Sequence, residues 1–414
     1  MHPKRLDALK RDILLTHAAC LATLATHFTS GSRTRCSASL PGAIIGPALA
    51  CMGRVSDYFC LMLRTYFVLL VVCVLAVVIP SCKSKPASVP MVGRYYTGVI
   101  FSKPYAIDVV GDSADYRSSI DSIVNVYESL FNTLDQASLL SRINAYSSRD
   151  SMFTFVDSTR AFGLVYDWAK DLHRNTLQYF DPTIAPLKRA WLVTKSRGEL
   201  EPNLDSLYSF VGFDHSAKGE VIIDLNELTS DGYTYSKSQI RKTDPRVELD
   251  FTTMAGAAAL DAVGAFFIER GVSQFRIKYG RSVICGGKPI VDTLHVVPMG
   301  IGYDTADQYL RLTGAAYAAR TAQDKMGLID PTYGYPVSNE MVFVGVAAPS
   351  LVEAEVFSEA FIIMGLDRAS EYYTRNEQSR IESFMLYERE EQLQSASTEG
   401  FDRIMLHADS LLNP

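Results

Sequence analysis

Apolar positions recur with two different periods along the chain, and the period distinguishes predicted strands from predicted helices. Residues 96–110 alternate between apolar and polar and are rich in β-branched and aromatic side chains, which predicts a pair of strands. Apolar side chains recur at helical spacing in residues 120–134 and in residues 159–172, which predicts two helices. Residues 252–269 are Ala-rich and apolar, and they predict a buried helix that ends at Gly271.

Shorter apolar segments predict the remaining elements. Strands are predicted at residues 220–225, 247–251, 274–283, 293–297 and 341–347. A helix is predicted at residues 351–364, followed by a last strand and helix near Phe384 and Phe401. Because strands and helices are mixed without a regular βαβ alternation, the predicted fold class is α+β, with mixed sheets and packed helices.

Composition narrows the classes of function. The 414 residues suffice for one large core or two modest ones, and a formal net charge of −6 gives no electrostatic reason to bind nucleic acid. Of the seven cysteines only Cys285 lies in the body of the chain, so no disulfide framework is expected there. The histidines show no close ligand spacing, so any bound metal is expected to have oxygen ligands.

The N-terminal part of the chain contains a predicted export signal. From Met62 a basic start leads into an apolar run at residues 68–79, which is followed by Pro80-Ser81-Cys82. This order predicts a lipoprotein signal peptide at residues 62–81. The end of the run resembles a lipobox, which implies lipidation of Cys82. A single membrane anchor helix is the alternative interpretation, although the apolar run is short for a transmembrane span.

The signal also sets the expected organisation of the chain. Residues 1–61 do not fit upstream of an export signal, so they are predicted to be a mis-called extension, with a true cytoplasmic extension as the alternative. Residues 82–95 are predicted to hold the lipidated cysteine and a polar tether, and residues 96–414 the folded domain. The expected location is the bacterial cell envelope, where the lipid anchors the protein to a membrane on the periplasmic side or at the surface.

Three motifs carry the candidate chemistry. They are LLSRIN at residues 139–144, FDPTIAPL at residues 180–187 with Trp191 behind it, and DPTYGYP at residues 330–336. An Asp that precedes Pro is held extended, and its carboxylate can accept backbone N–H groups and fix a loop. Two such turns with aromatic neighbours also suit a flat ring system with polar edges. From these residues alone, both interpretations of the turns remain open.

In this order and at this spacing, the motifs resemble those of the FAD:protein FMN transferase family. The resemblance implies an α+β flavin-transferase-like domain that uses FAD as donor and attaches FMN to a threonine of a partner protein in a Mg²⁺-dependent reaction. The implied partners are acceptor flavoproteins of the cell envelope. The residues that the resemblance assigns to the flavin are Phe180, Asp181, Asp250 and Ser358, and those that it assigns to the metal are Thr253, Glu355 and Glu359.

Helical geometry gives independent information on two of these residues. Glu355 and Glu359 fall within the apolar arc of the predicted helix at residues 351–364. Carboxylates in such a position are protonated, paired or bound to a ligand. A Mg²⁺-like cation with phosphate oxygens is one solution, and an Arg or Lys from elsewhere in the fold is the other. Either glutamate is also a candidate for the base that frees the acceptor hydroxyl.

The sequence departs from the family pattern at several other positions. Gly327 stands where the family has a histidine before the second Asp-Pro turn, so no titratable group is available there. Further family motifs are replaced by Phe101-Ser102-Lys103, Ala255-Gly256-Ala257, Gly280-Arg281 and Gly314-Ala315-Ala316. These replacements support an alternative function, a catalytically inactive envelope lipoprotein that binds a flavin or acts as a scaffold.

Overall fold

The computed structural model describes residues 93–213, 223–228, 237–288, 292–300 and 308–407. The predicted signal peptide, the lipidation site Cys82 and the tether up to residue 92 lie outside these residues, whereas residues 93–95, predicted as tether, already belong to the first strand. No helix within the described ranges is both long enough and apolar enough to cross a membrane.

The described residues form fourteen strands. In chain order the strands are β1 (Gly93–Ile100), β2 (Lys103–Val110), β3 (Phe153–Val156), β4 (Ile223–Leu228), β5 (Lys237–Lys242), β6 (Gln274–Tyr279), β7 (Ser282–Gly287), β8 (Val296–Pro298), β9 (Gln308–Arg311), β10 (Ala315–Thr321), β11 (Met341–Ala348), β12 (Glu382–Arg389), β13 (Gln392–Ser397) and β14 (Met405–His407). A 3-10 turn at Asp292–His295 precedes β8.

The helices flank these strands. In chain order they are α1 (Arg117–Phe131), α2 (Leu139–Ala145), α3 (Ala161–Asn175), α4 (Ala185–Arg197), α5 (Leu204–Leu207), α6 (Ala255–Glu269), α7 (Ala322–Lys325), α8 (Leu351–Arg375) and α9 (Glu399–Ile404). Helix α8 is interrupted at Gly365, whose φ of 76° no other residue type adopts readily, and the predicted end of this helix at Met364 coincides with the break.

An eight-stranded antiparallel sheet organises the fold. Its strand order is β1-β2-β6-β7-β10-β11-β12-β13, and two three-stranded sheets, β14-β9-β8 and β3-β5-β4, accompany it. Helices α1, α6 and α8 pack together on one face of the large sheet. Alternate side chains of β10 point to opposite faces of the sheet. Ala316 and Ala318 pack in the core on the helix side. Tyr317 and Ala319 pack in a second core beside β9.

The antiparallel sheets with packed helices confirm the predicted α+β class. The opening strand pair and the helices α1, α3 and α6 lie close to their predicted positions. Residues 274–283 were predicted as one strand, but they form the hairpin β6–β7, because Gly280 has a φ of 58° and reverses the chain. Leu134, placed in the first helix by the pattern, lies beyond its end and is exposed.

Two larger differences affect the candidate site. Residues 247–251 were predicted as a strand, and Val247, Leu249 and Phe251 are indeed buried, but the segment pairs with no strand in the described chain. Strand β10 was not predicted, because its sequence AAYAART is rich in alanine, which has low β-propensity. Pairing with β7 on one side and β11 on the other holds this segment in the sheet.

Candidate active site

A small cavity lies where three turns of similar sequence meet. Each turn has the form Asp-x-Thr, at residues 181–183, 250–252 and 330–332, and we call them the Asp-x-Thr turns. Side chains on or next to these turns line the cavity, together with one residue from α4 and two from α8: Phe180, Asp181, Lys188, Asp250, Thr253, Pro331, Glu359 and Ile363. The cavity volume is about 20 Å³, which is room for roughly one water molecule, so a flavin ring could enter only if the turns moved apart.

The first turn is held by its own side chains. Asp181 Oδ1 accepts hydrogen bonds from the backbone N–H of Thr183 at 2.7 Å and from its hydroxyl at 2.6 Å. The Thr183 hydroxyl also accepts the N–H of Gly212 at 2.7 Å. The neighbouring Phe180 is buried, and its carbonyl lies 2.7 Å from His173 Nδ1. The predicted role of this carboxylate in fixing a loop is therefore confirmed.

The third turn repeats this arrangement next to Trp191. Asp330 Oδ1 accepts the N–H of Thr332 at 2.8 Å, and the backbone N–H of Asp330 donates to the Tyr335 carbonyl at 2.8 Å. Trp191 Nε1 donates to the Gly334 carbonyl at 2.6 Å. Burial raises the pKa of the Asp330 carboxyl. Residues of both Asp-Pro motifs, which are distant in sequence, line the cavity.

The second turn carries an ion pair into the cavity. Asp250 Oδ1 accepts the N–H of Thr252 at 2.9 Å, and Oδ2 lies 3.1 Å from Lys188 Nζ. The backbone N–H of Asp250 donates to the Pro182 carbonyl at 2.6 Å, which ties the first and second turns together. Burial raises the pKa of Asp250, but the ammonium of Lys188 and the Thr252 hydrogen bonds outweigh it, and the net shift is downward.

The segment before Asp250 is held in place by side chains. Asn144 donates its amide Nδ2 to the Leu249 carbonyl at 2.9 Å, and its Oδ1 accepts the Leu249 N–H at 2.8 Å. Lys242 Nζ donates to the Val247 carbonyl at 3.1 Å. These bonds replace the strand partner that the alternating pattern had suggested. Asn144 and Asp250 also line an open polar groove of about 450 Å³ on the other side of the second turn.

Three charged and polar side chains surround Glu355, which is almost fully buried. Glu355 Oε1 lies 3.1 Å from Lys103 Nζ and accepts the Ser282 hydroxyl at 2.6 Å, and Oε2 accepts Arg320 Nη2 at 2.5 Å. We call Lys103, Ser282, Arg320 and Glu355 the charged cluster. Burial raises the pKa of Glu355, but Arg320 and Lys103 outweigh it and hold that pKa at about 2.

The fold explains why these residues meet. Lys103 begins β2, Ser282 begins β7 and Arg320 lies near the end of β10, so antiparallel pairing brings them to the same end of the large sheet. Arg320 has the same parity as Ala316 and Ala318 and therefore faces the helices. Helix α8 is fixed at its start by Asp261, whose carboxylate accepts the N–H groups of Leu351 and Val352.

Glu359 connects the charged cluster to the cavity. It lies one helical turn after Glu355, lines the cavity, and accepts the Thr253 hydroxyl at 2.9 Å through Oε1. Its Oε2 lies 3.6 Å from Arg320 Nη2. Both glutamates thus have cationic partners, which is the second of the two solutions that the sequence left open. The sequence did not single out Lys188, which lines the cavity, or Arg320, which contacts the cavity residue Glu359.

The structure brings most of the predicted site residues together. Phe180, Asp181, Asp250, Thr253 and Glu359 all line the one cavity. Glu355 lies deeper, inside the charged cluster. Ser358 is fully buried, and its hydroxyl donates to the Glu355 carbonyl of its own helix at 2.9 Å, so it does not reach the cavity. No signal local to residue 320 could have identified Arg320, because its strand was not predicted.

A magnesium ion does not fit at Glu355, one of the three predicted ligands, in this arrangement. Mg²⁺ requires near-octahedral oxygen ligands at about 2.0–2.1 Å. Both oxygens of Glu355 already accept hydrogen bonds from cationic groups, and an ion bound to either oxygen would lie against Lys103 or Arg320. Among the described residues, no group of three or more His, Cys, Asp or Glu side chains is arranged to hold a metal.

Comparison with known proteins gives related sequences. The model of the ApbE family matches residues 101–385, which is more than half of the chain. The chain is 25% identical over 276 residues to an FAD:protein FMN transferase of Vibrio cholerae, and the match covers 63% of this chain and 76% of the relative. It is 21% identical over 321 residues to an FAD:protein FMN transferase of Haemophilus influenzae, covering 73% of this chain and 88% of the relative.

Solved structures with the same fold are also found. The flavin transferase ApbE from Vibrio cholerae has a TM-score of 0.60 at 19% identity, and the match covers 76% of this chain and 100% of that one. The apo form of the flavinyl transferase ApbE from Pseudomonas stutzeri has a TM-score of 0.60 at 18% identity, covering 76% and 97%. These likenesses confirm the predicted flavin-transferase-like fold.

Proposed function

The chain belongs to the ApbE family, and we propose on that basis that it transfers FMN from FAD to a threonine hydroxyl of a partner protein. One observation carries the proposal for this chain. Residues that are far apart in sequence, from Phe180 to Glu359, line a single cavity, and they include most of the positions that the family resemblance assigns to the flavin and the metal. The polar groove beyond Asp250 adds a volume suited to a nucleotide.

The reaction defines what the site must do. The threonine oxygen attacks the FMN-side phosphorus of the FAD pyrophosphate, and a new P–O bond forms as the bond to AMP breaks. AMP leaves with the bridging oxygen, and the hydroxyl proton passes to a base. Positive charge near the pyrophosphate stabilises the transition state, and the base must reach the acceptor hydroxyl.

Glu359 is better placed than Glu355 to act as that base. The Glu355 side chain is 2% exposed and its pKa is held at about 2, so it is a poor proton acceptor. The Glu359 side chain is 16% exposed and lines the cavity. Thr253 donates to one oxygen of Glu359 and so orients the carboxylate. We assign Glu359 the role of general base.

Mg²⁺ dependence is implied for this chain by the family resemblance alone. If Mg²⁺ bound, it would supply charge to the pyrophosphate. The residues found around Glu355 do not fit that ion, so no step here is assigned to it. Thr253 and Glu359 remain the predicted ligands that border the cavity directly.

The proposed setting is the cell envelope. The lipobox-like segment before Cys82 supports lipid attachment, and envelope flavoproteins would then be the acceptors. Replacement of Cys82 by Ala should move the full chain from the membrane fraction to the soluble fraction of an expressing bacterium. An unchanged distribution would contradict lipid anchoring at this residue.

A second candidate function is flavin binding without transfer. Two observations favour it, the pairing of Glu355 with Arg320 and the absence of a titratable side chain at Gly327. Gly327 is exposed, and a Cβ added there would come no nearer to another atom than 3.9 Å, so a larger side chain fits. Gly327→His should therefore be tolerated. It should raise the transfer rate by about 10²-fold or more in a chain that lacks a base, and by much less in a chain that already uses Glu359.

The deciding experiment is mass spectrometry of a threonine-containing acceptor protein incubated with FAD and the full chain. Transfer predicts a mass gain of FMN less water and the release of AMP. Glu359→Gln should abolish the gain, whereas Glu371→Gln, a partly exposed glutamate on the same helix and outside the cavity, should not. FAD binding without any mass gain, even for Gly327→His, would favour the non-catalytic candidate.

A further inference from the structure

We infer that the charged cluster takes the place of a divalent cation in this protein, so that Arg320 binds the pyrophosphate of the dinucleotide directly and binding requires no metal. The inference rests on the proposed flavin function and names the group that recognises the donor. It follows from the disagreement between the metal that the family resemblance implies and the side chains found at those positions.

The first argument is charge. Lys103 and Arg320 together carry a charge of +2, which is the charge of one Mg²⁺ ion, and they lie against the carboxylates of Glu355 and Glu359. These are two of the three residues that the family resemblance assigns to the metal. The two cations therefore supply the positive charge that a metal bound by the same carboxylates would supply.

The second argument is rigidity. The side chain of Arg320 is 14% exposed and that of Glu355 is 2% exposed, and Ser282 fixes the carboxylate from a third direction. Charge–charge interactions are stronger in such a setting than in water, because the effective dielectric constant is lower. A guanidinium held in one orientation presents a planar set of N–H donors that matches two phosphate oxygens.

The third argument is position. Arg320 extends from Glu355 to Glu359, and Glu359 lines the cavity. Within the described residues, the side-chain contacts of Arg320 use Nη1 and Nη2, and a guanidinium has five N–H donors. Lys188 lies on the same cavity and is paired with Asp250. A pyrophosphate at the cavity would thus meet Lys188 of α4 on the cavity wall and Arg320 of β10 next to Glu359.

Calorimetric titration of the full chain with FAD, in Mg²⁺ and in EDTA, tests the inference, and inorganic pyrophosphate serves as a second probe. We expect FAD dissociation constants that agree within about twofold in the two buffers. Arg320→Gln should weaken binding of both probes by about 10–100-fold, the usual effect of losing a hydrogen bond to a charged group. Arg320→Lys should have an intermediate effect.

Two controls keep the result interpretable. Arg320→Gln leaves the buried carboxylate of Glu355 without its main partner. The double variant Arg320→Gln/Glu355→Gln also lacks the guanidinium, but it contains no buried unpaired carboxylate. Arg281→Gln removes an arginine from the neighbouring β6–β7 turn, where it pairs with Asp324, and should leave both affinities unchanged. Circular dichroism verifies that each variant is folded.

The outcomes separate this inference from the proposed function. FAD binding that appears only with Mg²⁺, or that survives unchanged in the double variant, would overturn the inference while leaving the flavin function intact. Metal-free, Arg320-dependent binding of pyrophosphate without any binding of FAD would contradict the flavin function and support the cluster as a pyrophosphate site. If neither probe binds the wild-type chain, both are wrong.

Discussion

The Asp-x-Thr turns and the charged cluster are neighbours in the fold, because Glu359 lines the cavity at the turns and contacts Arg320 of the cluster. They differ in how far apart in sequence their interacting residues are. In each turn the carboxylate accepts the N–H two residues later, so the geometry is contained in three consecutive residues. In the charged cluster, Lys103 and Glu355 are 252 positions apart, and Ser282 and Glu355 are 73 apart. The turns can be recognised from sequence, whereas the cluster exists only once the sheet has formed.

The largest effect should come from breaking the charged cluster on one side. Arg320→Met removes the main partner of a carboxylate that is almost fully buried, and the free energy of unfolding should fall by about 3–5 kcal/mol. Arg320→Met/Glu355→Met replaces both charges with apolar side chains and should recover most of the loss. Urea denaturation measures both. Equal losses in the single and double variants would contradict the pairing.

Acid should weaken the cluster in a defined pH range. An unfolded glutamate has a pKa near 4.5, while Arg320 and Lys103, acting against burial, hold the folded Glu355 at about 2. The stability that this carboxylate provides is therefore fully present above pH 4.5 and is lost as the pH falls from about 4.5 to 2. The loss is on the order of 3 kcal/mol.

Comparison of two proteins across that range isolates the contribution of Glu355. The wild-type chain and Arg320→Met/Glu355→Met share every other carboxylate, so the difference between their unfolding free energies should shrink as the pH falls from 4.5 to 2. A difference that stays constant would mean that Glu355 does not ionise in the folded protein.

An intermediate effect is expected where a side chain replaces a strand partner. Asn144→Ala leaves the N–H and carbonyl of Leu249 without their partners beside the polar groove, and should lower the free energy of unfolding by about 2 kcal/mol. It should also weaken FAD binding, because the segment that carries Asp250 is freed. Asn125→Ala, at an exposed position of α1, should change stability by less than about 0.5 kcal/mol.

The smallest effect should come from a turn. Asp181→Asn keeps the oxygen that accepts the Thr183 N–H, so stability should change by about 1 kcal/mol or less, whereas Asp181→Ala should lose more. FAD affinity measured on the same two variants tests the assignment of Asp181 to the flavin. If the Asn variant binds FAD normally, Asp181 acts by shaping the turn, and a marked loss would show that its charge contacts the donor.

Apolar spacing along the sequence was sufficient to predict elements that are stabilised mainly by contacts between residues close in sequence. The helix that carries Glu355 and Glu359 was predicted from apolar spacing, and its predicted end coincides with the break at Gly365. The helical arc also showed that both glutamates would need partners. Nothing local could show that one of those partners would be Arg320, because β10 is held by its neighbours and not by its alanine-rich sequence.

The segment at residues 247–251 shows the converse error. Its alternation correctly predicted which side chains are buried, but burial alone does not make a strand. The amide of Asn144 and the ammonium of Lys242 satisfy backbone groups that a sheet would otherwise have used. This irregular backbone contains Asp250 and is followed by Thr253, and both residues line the cavity. The strand prediction therefore failed in a segment that forms part of the candidate site.

The most direct test of the account is the mass of an acceptor protein after incubation with FAD and the full chain in EDTA. The account predicts a threonine that carries FMN, with release of AMP, and loss of both products in Glu359→Gln. An acceptor of unchanged mass in EDTA and in Mg²⁺, in the presence of demonstrated FAD binding, would contradict the proposed transfer.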